Sequence, residues 1–357
     1  MMLYKRYIAK EVAAAVLLVL VAFLALFSFF DLISELRDVG KGGYKLQHAL
    51  GFIALRLPGR VYELMPIAVL IGALYALSTL ARHSEITVLR ASGLSTGELL
   101  KTLLMVAAFF GFVTLLMGEI VSPPAERAAR QLRLSAIGKL VSQEFRTGLW
   151  IKDDMTFVNV RAVTPDAQLR SIRIYEFNKQ AQLVSVSEAA EGEYLPPERW
   201  KLKNVVRTQL DGTRGSVSTQ PELIWQSALN PDMLSVLLIK PESMSLVHLT
   251  SYIKHLRANK QKTQRYEIAL WKKAIYPLAA LVMIALALPF GYQHNRVAGV
   301  SLKIFAGVMI GVLFHMLNGL FSNLGAINSW PPFTSAAAPS LMFALAAAGM
   351  LWWVERR

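Results

Sequence analysis

The chain contains no cysteine, which excludes disulfides, zinc–thiolate centres and thiol catalysis but does not choose a compartment. Charge is scarce as well: 17% of residues are Asp, Glu, Lys or Arg, against about 25% in an ordinary soluble domain. Acids are the scarcer sign, 24 against 38 bases, for a formal net charge of +14. No GxxxxGK[ST], HExxH or GxSxG occurs, so P-loop nucleotide chemistry, zinc proteolysis and serine hydrolysis are not expected of these residues. His315 and Asn318 lie one turn apart in an apolar run with no carboxylate near in sequence. An interhelical hydrogen bond is their expected role. No catalytic residue, metal ligand or cofactor is predicted, and the chain is read as non-enzymatic.

What the sequence does have is long hydrophobic runs. The chain is 54% apolar with a mean hydropathy of +0.41, and a bilayer crossing needs about 20 predominantly apolar residues. Six runs qualify: Val12–Phe30, Val61–Leu80, Leu99–Val121, Ile275–Phe290, Val300–Leu320 and Ala336–Val354. The first is longer than the apolar part of a typical signal peptide and lacks a convincing small-residue cleavage site, so no cleavable leader is expected. Lys5, Arg6 and Lys10 precede it; Arg82 and Arg90 lie between runs two and three, Arg296 and Lys303 between four and five, and Arg356 and Arg357 follow the last. The positive-inside bias therefore puts both termini in the cytoplasm. The short loop at Asn328–Pro332 carries no base, as an outer loop should. Excess positive charge that flanks spans suits a membrane surface or anionic lipid better than nucleic acid.

From Leu149 to about Trp225 the period changes to two. Val158 and Val160, Ile172 and Ile174, Val184 and Val186, then Trp200 and Leu202 each alternate with polar neighbours. Turn signals at Asp153-Asp154, Asn178-Lys179, Pro196-Pro197 and Asp211-Gly212 separate them, the pattern of an all-β sandwich or jelly roll. The expected fold is an α-helical membrane protein with six transmembrane helices and an inserted all-β jelly-roll domain on the outer side. Its divisions are residues 1–135 for three spans, 136–240 for the β domain and 241–357 for a connecting helix and three more spans. The connecting helix carries the apolar stripe Leu246, Leu249, Ile253, Leu256, with a solvated basic face from Lys254 to Arg265. So small a β core leaves an apolar groove or an edge to pair with a neighbour.

Two polar stretches are the functional candidates. Between spans two and three, Ser84 is the expected N-cap of a short helix beginning at Glu85, Gly93 its stop, and Ser95 with Glu98 a capping box for the next helix. Glu85, Val88, Leu89 and Ser92 share one face. That face suits docking to a partner; the alternative is a connector that only turns the chain. On the outer side, the expected loop from Asp31 to Arg60 holds Arg37, Lys41, Lys45, Arg56 and Arg60, made flexible by Gly40, Gly42 and Gly43. Its bases either snorkel to lipid phosphates or line the way in for an anion. After Ser122-Pro123-Pro124, Arg127, Arg130 and Arg133 share one broad helical face, rotating by about 60° per step. Arginine suits bidentate phosphate recognition. The competing role is a solvated face in which Glu126 pairs with Arg130. Three arginines against one acid favour anion binding. Glu63 and Glu119 are expected at the water interface.

The pattern resembles the LptF/LptG family of lipopolysaccharide export permeases, and more closely its LptG side. Its most specific piece is SEITVLRASGLS, Ser84 to Ser95, which is similar to the family's coupling helix; YIAKEV, GEIVSPPAERAARQLR at Gly118–Arg133 and TGLWIKD at Thr147–Asp153 add to it. The resemblance implies an ABC-transporter permease without ATPase chemistry of its own. Its implied partners are LptF, two copies of the ATPase LptB, the periplasmic LptC and LptA bridge, and lipopolysaccharide taken from the inner membrane. It also implies that Glu85, Leu89 and Gly93 serve ATPase coupling, and that Arg37, Arg130 and Arg133 belong to the family's basic set. Where the family has a lysine at the end of span one this chain has Asp31, and Lys41 is the nearest substitute. A secondary transporter would show inverted repeats or broken helices near mid-membrane, and none is visible. An envelope-assembly scaffold would tolerate changes at Glu85 or the arginines.

Overall fold

The computed structural model describes residues 2–137, 148–153, 155–164, 168–178, 180–196, 199–211, 214–227, 241–292 and 300–356. Arg296, Thr147 and the turn positions Asp154, Lys179, Pro197 and Gly212 lie outside the described residues. The membrane part opens on α1 (Met2–Leu36), α2 (Leu46–Arg82) and α3 (Glu85–Ala91). Next, α4 (Thr96–Leu116) runs through one π turn (Met117–Val121) into α5 (Ser122–Ile137). After the β domain come α6 (Leu246–Ala258), α7 (Gln264–Ile275), a 3₁₀ turn at Tyr276–Leu278, α8 (Ala279–Tyr292), α9 (Val300–Ile327) and α10 (Pro332–Glu355). Six helical segments are long and apolar enough to cross a membrane: Leu3–Leu36, Leu46–Arg82, Thr96–Ile137, Gln264–Phe290, Ser301–Ile327 and Pro332–Trp353.

The expected loop from Asp31 to Arg60 is overturned: α1 continues to Leu36 and α2 has begun by Leu46. Tyr44, almost wholly buried, donates from its hydroxyl to Glu35 Oε2 at 2.9 Å, and the Gly40 amide donates to the Tyr44 carbonyl at 2.9 Å. Those bonds fix the turn that the glycines suggested would be loose. Pro58 and Pro66 sit inside α2; each removes one backbone donor, yet packing on both sides holds the helix.

Inside a bilayer, lipid tails are as apolar as leucine, so close packing rather than water exclusion joins the spans. Helix α2 lies at the centre, with Val69, Leu70, Leu74 and Leu77 buried against Met283, Ile284 and Ala287 of α8. Gly72 is the contact point with α1. A β-carbon there would fall 2.5 Å from the Val16 α-carbon, closer than two carbons can approach. By contrast, Leu18 and Val21 on α1, and Phe305, Met309 and Met316 on α9, point away from the chain's own core.

The β domain is one antiparallel sheet in sequence order: β1 (Leu149–Asp153), β2 (Thr156–Val163), β3 (Leu169–Phe177), β4 (Leu183–Leu195), β5 (Arg199–Asp211), β6 (Arg214–Gln226). Among the described residues there is no second sheet. Val158, Val160, Ile172, Ile174, Trp200 and Leu202 form its core, as period two requires. On β4 the alternation runs the other way: Ser185 and Ser187 are buried, whereas Val184 and Val186 are half-exposed. Ser185 is satisfied there by donating to Glu176 Oε2 at 2.6 Å, a carboxylate that also takes Arg207 Nη2 at 2.7 Å. The last strand leaves Val217 and Ile224 exposed.

Candidate functional site

On the cytoplasmic side, α3 is a seven-residue helix held between two spans. Ser84 stands at the N-cap position but in the left-handed region (φ 60°), and its side chain caps nothing, which corrects the expected cap. The tight turn out of α2 sets that backbone, with Ser84 N–H on the Ala81 carbonyl at 3.0 Å. Gly93, at φ +100°, closes the helix as expected: Leu94 N–H reaches the Leu89 carbonyl and Gly93 N–H the Arg90 carbonyl, each at 3.0 Å. This double bond pattern satisfies the last carbonyls and needs the left-handed backbone that glycine adopts without strain. Ser95 accepts from the Glu98 amide at 3.2 Å; the Glu98 carboxylate goes instead to Tyr4 Oη at 2.8 Å. Ile86, not singled out from the sequence, is buried, Leu89 is half-buried, and Val88 is 66% exposed. Glu85 accepts from Tyr7 Oη at 2.9 Å.

The outer ends of the spans form a belt of paired charges. Arg60 clasps Asp31 with two nitrogens, Nη2 to Oδ1 at 2.8 Å and Nε to Oδ2 at 3.1 Å, and reaches Glu63 at 3.0 Å. Arg133 meets Asp38 at 2.5 Å and Glu35 at 3.5 Å. Glu126 stands 3.6 Å from both Arg56 and Arg130. Lys41 pairs with Asp38 at 2.7 Å; together with Arg133 this holds the Asp38 carboxyl below its ordinary value. Arg37 is exposed and makes no ion pair among the described residues; Arg127 is half-buried, with its Nε unbonded there. The expectation of three arginines against one acid is therefore corrected, because the fold brings Glu35 of α1 and Asp38 of the turn after it onto Arg133. The structure joins Lys41 and Arg133 through Asp38, whereas Arg37 stands apart.

Sequence reasoning missed a second group. Glu119, expected at the interface, is half-buried and lies 3.4 Å from Lys273, itself only 6% exposed. Glu119 also accepts the Leu246 amide at the start of α6, at 2.8 Å, and Lys273 donates to the Met244 carbonyl. A cavity of about 210 Å³ opens beside this pair, lined by Arg56, Arg60, Tyr62, Glu63, Glu126, Glu242, Lys272, Lys273, Tyr276, His315 and Asn318. The signals were Lys272-Lys273 ahead of span four and the i, i+4 spacing of Arg56 and Arg60. Asn318 makes no interhelical bond among the described residues; its side chain donates to the Phe314 carbonyl of its own helix at 3.2 Å. His315, exposed, is among the residues lining the cavity.

The outer-end cations, with Arg56 and Arg60 among them at the cavity, lie at the far ends of the spans from the short helix α3. The family model for "Lipopolysaccharide export system permease LptF/LptG" matches residues 6–354. The chain belongs to the LptF/LptG family. The LptG permease of Haemophilus influenzae is 31% identical over 357 residues, covering 99% of this chain and 98% of that protein. The LptG permease of Escherichia coli K12 is 31% identical over 356 residues with the same coverage. The E. coli LptF permease aligns over 112 residues, 31% of each chain, at 30% identity. Similarity to LptG-type members thus runs the whole length, and similarity to the LptF-type member runs over part of it.

Proposed function

We propose that this LptF/LptG-type permease is the LptG-side half of a transmembrane pair with LptF in the bacterial inner membrane. Two copies of the ATPase LptB drive the pair, and lipopolysaccharide passes to the LptC and LptA bridge. The chain has three working parts: residues 1–135, a periplasmic β domain at 136–240, and 241–357. ATP is hydrolysed in the partner. Glu85, with Leu89 and Gly93 shaping its helix, is the ATPase contact; Val88 offers that helix's exposed apolar surface. Arg37, Lys41, Arg127, Arg130 and Arg133 receive the lipid phosphates, joined by Arg56, Arg60 and Lys272. The β domain completes a jelly roll with its neighbours through the exposed strand β6. The observation that carries this reading is the clustering of outer cations on the same helices whose inner ends hold α3.

Native mass spectrometry of the gently solubilised complex tests it. An ATPase dimer, a second six-span permease and bound lipopolysaccharide are expected. Charge reversal at Arg130 and Arg133 should strip the lipid and leave the assembly intact. A lone chain or homodimer without ATPase or lipid would overturn it.

A further inference from the structure

Helix α1 is the one described membrane-crossing segment with neither glycine nor proline: its 35 residues run unbroken from Met2 to Leu36. Kinks in long helices arise chiefly at those residues or at π turns, so among the described spans α1, about 52 Å long, is the one without a bend point. Both of its ends are tied by side chains. At the inner end, Tyr7 Oη donates to Glu85 Oε2 at 2.9 Å, Tyr4 Oη to Glu98 Oε2 at 2.8 Å, and Lys5 stands 3.9 Å from Glu98. Glu85 opens α3 and Glu98 lies in the first turn of α4, so α1 holds the docking segment on both flanks. Ile8 and Val12, one and two turns further along, are buried in the cluster that also holds Leu80, Ile86 and Leu94. At the outer end, Asp31 and Glu35 engage Arg60 and Arg133.

On the reading that α3 receives the ATPase stroke, we infer that Tyr7 is a positioning residue that clamps α3 to α1. Through this clamp α1 acts as a lever carrying the stroke directly to the Asp31–Arg60 and Glu35–Arg133 pairs. Spans two and three are poorer carriers. Pro58, Pro66 and Gly72 lie within α2, residues at which long helices bend, and a π turn stands between α4 and α5. Glu85 then has two partners to exchange between, the Tyr7 hydroxyl within the chain and a cation on the ATPase.

The test uses the full transporter reconstituted in proteoliposomes, with Tyr7→Phe, which removes one oxygen and leaves the ring. Lipid released per ATP hydrolysed should fall about fivefold to tenfold, the factor one solvent-exposed hydrogen bond provides, while subunit composition stays unchanged. The chain has no cysteine, so Ile33→Cys and Val247→Cys, both at exposed positions, accept spin labels directly. The distance between them should change on trapping the ATPase with vanadate, and Tyr7→Phe should abolish that change. An unaltered ratio, or an equal distance change in Tyr7→Phe, overturns the lever. If Glu85→Ala retains both ATPase binding and transport, the reading of α3 fails first and the lever falls with it. Glu85→Ala inactive beside Tyr7→Phe unaltered would sink the lever alone.

Discussion

Removing Arg60 should cost more than removing its partner Asp31, although both take part in the same bidentate contact. Their side chains are 23% and 16% exposed. Exposed pairs contribute about 0–1 kcal/mol, and breaking a buried pair costs about 3–5 kcal/mol. The Asp31→Asn change leaves Arg60 with Glu63 at 3.0 Å, so a loss of about 1 kcal/mol is expected. The Arg60→Gln change leaves a largely covered Asp31 carboxylate without its cation, at about 2 kcal/mol. The double variant removes the stranded charge and should return to a loss of about 1 kcal/mol, giving a coupling of about 2 kcal/mol. Unfolding free energies from denaturing-detergent titration in mixed micelles, followed by circular dichroism, measure all four corners. Additive single losses, within about 0.5 kcal/mol, would refute the claim that the pair works as a unit. Equal losses for the two single variants would refute the role given to Glu63.

Lys273→Met should destabilise by about 3 kcal/mol because it strands the Glu119 carboxylate. Adding Glu119→Gln should recover part of that loss in the same titration. Gly72→Val forces a side chain into the Val16 backbone and should cost about 1–3 kcal/mol or more; a neutral result in thermal unfolding would refute the close approach of α1 and α2. Asp38 has a depressed folded pKa from its bonds to Lys41 and Arg133, against an ordinary value of 3.8. Its contribution is thus fully present above that value and is lost as pH falls through the lower folded pKa. Asp38→Asn should flatten the acid limb of the stability profile, and an unchanged limb would refute the assignment.

The six spans and the strands were legible because each depends on local period and composition: Val158 and Val160 point inward wherever the sheet lies. Helix lengths beyond the apolar runs were not. Residues 46–60 read as loop because Pro58, Arg56 and Arg60 are poor signs of a span, and only packing against α1 and α5 keeps them helical. The belt was half-legible. Arg130 with Glu126 is a local i, i+4 pair and was readable, whereas Arg133 meets Glu35 and Asp38 across 95 or more residues of sequence, which no spacing rule reaches. Ser84 carried the right residue type for a cap, but the tight turn after α2 decided its backbone. On β4, serines took the covered face because Glu176 and Arg207, from the neighbouring strands, satisfy Ser185; a polarity pattern on one strand cannot register partners on two others.

Paired cations change what capture of an anion would mean. A free arginine gains a phosphate by addition, but Arg133 must first give up Asp38 and Glu35, and Arg60 must give up Asp31 and Glu63. Binding at such sites is an exchange, whose net gain is the small difference between two charge-assisted contacts. Small differences are what a conformational stroke can reverse. If α1 shifts against α2 and α5, Asp31, Glu35 and Asp38 move together relative to Arg60 and Arg133, because all three acids ride on one helix and the turn that follows it. Withdrawing the carboxylates would turn the belt into a phosphate site, and returning them would expel the ligand. A direct consequence follows for variants. With Asp38→Asn and Glu35→Gln together, Arg133 stays open in both states, so lipid retention should rise and release per ATP should fall. Lipid carried by the purified complex, with and without ATP, measures this. A double variant that binds less lipid than the parent would show that these carboxylates hold the arginine in place for the ligand rather than compete with it.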